Sequence, residues 1–180
     1  DKHNLVPLPM GATGGAMGGW YRRKVKTIDD FKGLNIRIKG FGSKVLQKAG
    51  ANECWKSADD SLTAYKNKEL DVIVCEGPYH DRFHGFHDAI KYYYTGWQEP
   101  GGVLALIINK KAWESLPVEL REKIEIVRHN TYSFIHKQFE TMNANVLKEL
   151  IQKEGVQLLT FPPAVLDKLQ DYSKEVLEEE

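Results

Sequence analysis

Three groups of side chains in this sequence could do chemistry. Arg37 lies in "NIRIKG", between apolar neighbours in an alternating stretch. A guanidinium offers a planar fork of donors that matches a carboxylate through two parallel charged hydrogen bonds. From the pattern alone, Arg37 either sits on a solvated strand face or reaches into a cleft for an anion. Glu99 closes "IKYYYTGWQEP", where Tyr92, Tyr93, Tyr94 and Trp97 precede one acid and a Pro-Gly-Gly break. The third group is "YHDRFHGFH", which spaces His80, His84 and His87 at i, i+4 and i+7. On one helix these imidazoles would share a face suited to a transition metal. No HExxH pattern accompanies them, and Gly85 weakens the helix between them.

"GATGGAMGG", residues 11–19, has neither a following Lys-Ser/Thr nor G-x-G-x-x-G spacing, so it is not a phosphate loop. Its glycines mark a backbone that turns tightly or admits a close approach. No nucleophile elbow is present, and no motif calls for an enzyme.

Of the 180 residues, 25 are Lys or Arg and 25 are Asp or Glu, interleaved as on a solvated surface. There is no basic stripe and no zinc-finger spacing, which argues against nucleic acid. The longest apolar run, Val103 to Ile108, is far short of a membrane span. No signal peptide is visible and the chain does not begin with Met, as in a processed product or a fragment. Cys54 and Cys75, the two cysteines, suit one disulfide or two buried thiols.

The elements that would position these residues alternate between strand and helix, which predicts an α/β fold. Residues 5–20 read as a short apolar run followed by a glycine-rich loop. "TIDD" at 27–30 has capping-box character and predicts a helix start, with Gly33 as its stop. "LNIRIKG" predicts a strand with Ile36 and Ile38 on one face. Helices are expected over 43–49, 57–68 and 79–89. "LDVIVCEGP" predicts a strand buried on both faces, and residues 90–94 and 103–109 further strands. Pro117 to about Lys153 contains no Gly or Pro inside it and predicts a helix of about 50 Å, with a kink or break midway. Leu120, Ile124, Val127, Phe134, Ile135, Met142, Val146 and Leu150 approximate its apolar stripe. A strand at "VQLLTFP" and a terminal amphipathic helix complete the chain.

Several stretches in order, "MGGW", "FKGLNIRI", "GF", "YYYTGWQEPG" and "INKKAW", resemble the solute-binding proteins of tripartite ATP-independent periplasmic (TRAP) transporters. The middle of the chain is similar to the branch that binds 2-oxo acids, lactate and related monocarboxylates. The resemblance implies a periplasmic-binding-protein-like fold of two lobes with a hinge and a long C-terminal helix. Family chains are longer and carry a preceding segment that builds most of the first lobe. The first lobe is therefore expected to be incomplete here, and this stretch alone to bind weakly. Residues 1–102 would form mainly the second, ligand-binding lobe with the hinge strand. Residues 103–180 would hold the return strand, long helix and terminal strand–helix.

The resemblance also implies roles. Arg37 would anchor the ligand carboxylate, and Glu99 would help hold a sodium or calcium ion against it, with the neighbouring rings, Trp97 among them, as an apolar wall. Tyr93, the middle of the triplet, fits the core better than the ligand. The branch has Glu-Trp where this chain has Val74-Cys75, and Gln near Ala16, all contributors to the cation site. Glu76, which shares a strand face with position 74, is a substitute metal and ligand contact. The implied function is capture of a small carboxylate for a TRAP membrane permease, in the periplasm and without catalysis. Two other readings are an interaction module that homodimerises through the long helix, and a metal-dependent enzyme on His80, His84 and His87.

Overall fold

A computed structural model describes residues 3–180. Its strands fall into two sheets. The smaller pairs β1 (Leu5–Ala12) with β7 (Val103–Asn109), antiparallel. The larger has six strands in the order β4 (Asn52–Glu53), β3 (Asn35–Arg37), β5 (Val72–Ile73), β2 (Met17–Tyr21), β6 (Tyr92–Thr95) and β8 (Gln157–Leu159). Strands β4, β3 and β5 run parallel, β2 is antiparallel to both its neighbours, and β6 and β8 are parallel.

Adjacent residues of a strand point to opposite faces, and in the larger sheet both faces are buried. Trp20, Ile73 and Tyr93 enter one core with Tyr65, Phe86 and Leu150. Tyr21, Val72 and Tyr94 enter the other with Phe31, Ile36, Phe161 and Val165. The first core lies under α2 (Ala58–Lys66), α3 (Pro78–Phe83), α4 (Phe86–Ala89) and the end of α6 (Val118–Gln152). The second lies under α1 (Phe41–Lys48) and α7 (Pro163–Glu179). A short α5 (Lys110–Ser115) follows β7, capped by the Asn109 side chain. No helix among the described residues is long and apolar enough to cross a membrane.

Several local expectations are revised. Residues 5–12 form a strand despite Pro7 and Pro9, because among the described residues β1 pairs with β7 alone and has no strand on its other edge. "MGGWY" is a fully buried strand rather than a loop. The helix expected over 79–89 splits in two at Gly85, whose φ of 72° is left-handed. The 35-residue α6 runs without the expected break. Its stripe is only partly used: Leu150 is buried, while Leu120, Val127 and Phe134 are exposed. "TIDD" makes a single 3-10 turn, with Asp30 accepting from the Lys26 and Thr27 amides.

Sheet membership crosses the boundary expected at 102/103. β1 goes with β7, whereas β8 and α7 return to the larger sheet.

Candidate functional site

Two short connections join the sheets, residues 13–16 between β1 and β2 and residues 96–102 between β6 and β7, besides the longer passage from β7 through α5 and α6 to β8. They run side by side. Thr13 donates its amide to Gly102 O (3.0 Å) and accepts the Gly102 amide on its hydroxyl (3.0 Å). Only glycine admits this approach, since a Cβ on Gly101 would lie 2.1 Å from Gly14 O, and one on Gly96 2.2 Å from Ala16 O. Asn143 of α6, itself buried, staples the pair to the larger body. It donates to Thr13 O and accepts the Tyr79 amide at the start of α3, each at 3.0 Å.

A cavity of about 340 Å³ opens at this junction. Thr13 and Ala16 line it from the first connection, and Gln98, Glu99 and Gly102 from the second. Arg37, Lys39, Val74, Cys75 and Glu76 line it from the carboxyl ends of β3 and β5. Its volume falls at the small end of the roughly 300–1,000 Å³ typical of ligand sites.

Arg37 is 5% exposed and held by two carbonyls, Nη1 to Val74 O (2.6 Å) and Nε to Lys56 O (3.3 Å). Of the two sequence-level alternatives, the structure has the cleft and not the solvated face. The strand places it there because Ile36 on one side and Ile38 beyond it are fully buried in the core. Glu99, exposed, makes no hydrogen bond or ion pair among the described residues. Glu76 meets His80 Nδ1 at 2.9 Å, and its amide donates to the buried Asp81 (3.2 Å). Burial, followed by the nearby Asp81 charge, pushes the Cys75 thiol up to about 12.

Arg37, Glu99 and Glu76 share the cavity lining, and Trp97 lies outside it, packed against the core that holds Tyr94 and Phe161. Tyr93 lies in the core, as its place in the triplet implied, stacking on Trp20 at 3.9 Å, and Tyr94, expected in the apolar wall, is also core, stacking on Phe161 at 4.3 Å. The histidines separate. His80 faces Glu76, His84 faces Asp59 (3.1 Å) and His87 faces Asp88 (3.5 Å). No three His, Cys, Asp or Glu among the described residues group to hold a metal. Cys54 and Cys75 are free thiols. The sequence reading missed Thr13, Gln98 and Lys39; the close-approach glycines around the two connections were the available signal.

The profile of bacterial extracellular solute-binding protein, family 7, matches residues 1–180. A monocarboxylate 2-oxoacid-binding periplasmic protein of Nostoc sp. (strain PCC 7120 / SAG 25.82 / UTEX 2576) is 31% identical over 177 residues, which cover 98% of this chain and 48% of that protein. Among solved structures, a TRAP periplasmic solute-binding protein from Pseudoalteromonas atlantica T6c with bound sodium and pyruvate is 36% identical, with a TM-score of 0.89. One from Colwellia psychrerythraea with bound calcium and pyruvate is 34% identical, with a TM-score of 0.92. In both cases the match covers 99% of this chain and 55% of the other. The chain thus spans about half the length of these relatives.

Proposed function

The chain belongs to the bacterial extracellular solute-binding proteins of family 7, and from that premise we propose that it captures a small 2-oxo or 2-hydroxy monocarboxylate in the periplasm and presents it to a TRAP membrane permease. The observation that carries this reading is the buried Arg37 guanidinium in the wall of a small cavity shared with Glu99 and Glu76. A carboxylate entering there meets a fork already fixed by the Lys56 and Val74 carbonyls. Little side-chain freedom remains to be lost on binding.

Residues 17–95 with β8 and α7 make the ligand-holding lobe in this reading. β1, β7 and the first part of α6 begin the other lobe, and the two connections at 13–16 and 96–102 are the hinge. A ligand favours closure only through contacts better made in the closed form. Arg37 from one body and Val103 and Leu104 from the other both line the cavity, so a ligand between them supplies such contacts.

The donor set suits a hard cation. The Glu76 and Glu99 carboxylates and the Gln98 amide line the cavity, and sodium and calcium take oxygen ligands. Glu76 and Glu99 would hold the ion, which supplies positive charge beside the ligand's oxygens. The chain's own residues do the remainder: Arg37 orients the carboxylate, and the Ile38 and Leu104 side chains in the lining exclude water. No catalytic role is assigned to any residue.

A six-heavy-atom acid such as pyruvate can gain at most about 9 kcal/mol, a dissociation constant of about 0.1–1 μM. Calorimetric titration of the full-length protein with pyruvate and lactate tests the reading. Micromolar or tighter binding, lost in Arg37→Met, is expected. Equal binding by that variant would overturn it.

A further inference from the structure

The cavity holds a second cation that the reading above does not use. Lys39 lies two residues beyond Arg37 and lines the same cavity. Its ammonium sits 4.5 Å from the centre of the Trp55 ring, and the Arg37 guanidinium carbon lies 5.5 Å from that same ring. Both cations therefore lie within about 10 Å of each other, near one indole. Trp55 is 55% exposed. It contributes little to the core, and its neighbours here are the two cations.

Lys39 has no carboxylate partner among the described residues. Glu76 is engaged by His80 at 2.9 Å, and Lys56, the next cation along, pairs with Glu69 at 2.8 Å. Arg37 gives two of its donors to backbone carbonyls, so it offers a ligand fewer than its full fork. Helix α1 starts directly after Lys39, with Phe41 and Gly42 in the cavity lining and no acid in its first turn. The positive end of that helix adds to the same side of the site. One wall thus gathers a buried guanidinium, an unneutralised ammonium and a helix start, and Glu99 comes from the β6–β7 connection.

Resting on the capture reading, we propose that Lys39, positioned by Trp55, is a second carboxylate-binding residue that donates to the ligand alongside Arg37. An ammonium on a flexible stem loses much rotamer freedom when it binds. The indole face holds it near the cavity beforehand and so reduces that loss. Trp55 acts through Lys39 and is a positioning residue.

The test is calorimetry with pyruvate on the full-length protein, with ionic strength varied by choline chloride so that no metal ion changes. The variants are Arg37→Met, Lys39→Met, Lys39→Arg, Trp55→Ala and Trp55→Phe. Lys39→Met is expected to weaken binding about tenfold or more, as for loss of one charge-assisted hydrogen bond. It should also flatten the fall of affinity with salt, which a merely structural lysine would leave unchanged. Lys39→Arg should restore most of the affinity. Trp55→Ala should weaken binding several-fold, and Trp55→Phe less, with thermal melts unchanged. If Arg37→Met abolishes binding while Lys39→Met stays within twofold of wild type at every salt concentration, this inference is overturned and the capture reading stands. If the wild-type protein binds none of pyruvate, lactate and acetate, both fall.

Discussion

The indole of Trp20 stacks on the ring of Tyr93 at 3.9 Å, and both side chains donate to one oxygen, Oδ2 of the buried Asp81, at 2.9 and 2.7 Å. The other carboxylate oxygen accepts the Glu76 amide at 3.2 Å. A core carboxylate thus holds the backbone at the edge of the cavity. Glu76 O in turn accepts the Met17 amide (2.8 Å), and Met17 O accepts Gln98 Nε2 (3.0 Å). The cavity wall is built on this chain of hydrogen bonds.

Asp81→Asn is expected to destabilise the protein by about 1–3 kcal/mol, the cost of leaving a buried donor unmatched. All three groups around Asp81 donate, so whichever oxygen becomes the amide nitrogen faces an N–H or O–H. The pH dependence carries a sign. Burial is the largest influence on Asp81 and raises its pKa, opposed by the Tyr93 and Trp20 hydrogen bonds. The folded form then holds the proton more tightly than the unfolded chain, and ionisation lowers stability as pH rises through the folded value. The wild-type advantage over Asp81→Asn should therefore widen as pH falls from above the raised pKa towards the ordinary carboxylate value. Urea melts of both proteins at pH 7 and pH 5 measure the difference; a gap that narrows on acidification would contradict the burial argument.

Two glycines of one stretch should respond oppositely to the same change. A Cβ on Gly18 would lie 2.4 Å from Thr95 O and 3.0 Å from Phe161 Cε2, in a strand with no room to move. Gly15 has nothing within 4 Å of its Cβ position, and its φ is outside the left-handed region. Gly18→Ala is expected to cost about 2–4 kcal/mol. Gly15→Ala should be neutral or stabilise by up to about 1 kcal/mol through the unfolded chain. Thermal melts of the two variants decide it.

That contrast also shows what the sequence could reveal. The alternation of strands and helices follows from periodicity and from glycine and proline stops, and α6 is legible because no Gly or Pro interrupts residues 118–152. β2 was not legible. Its glycines suggest a loop, and it is a strand because Thr95 O and Ile73 O press against it from both sides. The aromatic run "YYYTGW" suggested a ligand wall around a core Tyr93, yet strand alternation sends Tyr94 into a core as well, on the opposite face of the sheet. Resemblance to a family, more than their own pattern, singled out Arg37 and Glu99, both of which line the cavity. Thr13 and Gln98 reach the cavity because two distant connections run side by side, and the glycines that admit this approach were the one local signal of it.

Cys75 is expected to be nearly inert although it lines the cavity. With its thiol pushed up to about 12, on the order of one thiol in ten thousand is ionised at pH 8, and only the thiolate attacks. In a Cys54→Ser background, labelling by iodoacetamide at pH 8 should run at least a hundredfold slower in the folded protein than in urea. Comparable rates would mean that the thiol is neither buried nor shielded as described.

Two acids, Glu76 and Glu99, line the cavity. Glu99 has no protein partner among the described residues, and it shares the lining with Arg37. A ligand carboxylate close to an ionised Glu99 is repelled, by an interaction of order 3 kcal/mol at about 5 Å and an effective dielectric of about 20, unless a cation lies between them. Glu99→Gln therefore has opposite expected effects in two buffers. In choline chloride with a chelator, the substitution removes a repulsion and should tighten pyruvate binding, by about tenfold after solvent screening. In sodium or calcium chloride it removes an oxygen ligand and should weaken binding. Glu76→Ala should abolish the difference between the buffers, whereas His80→Ala should enlarge it, because His80 occupies the Glu76 carboxylate at 2.9 Å. Calorimetry of the four proteins in the two buffers reads all of these signs. Should Glu99→Gln tighten binding equally in both buffers, no bridging ion is held by Glu99, and Arg37 with its cationic neighbours takes the carboxylate unaided.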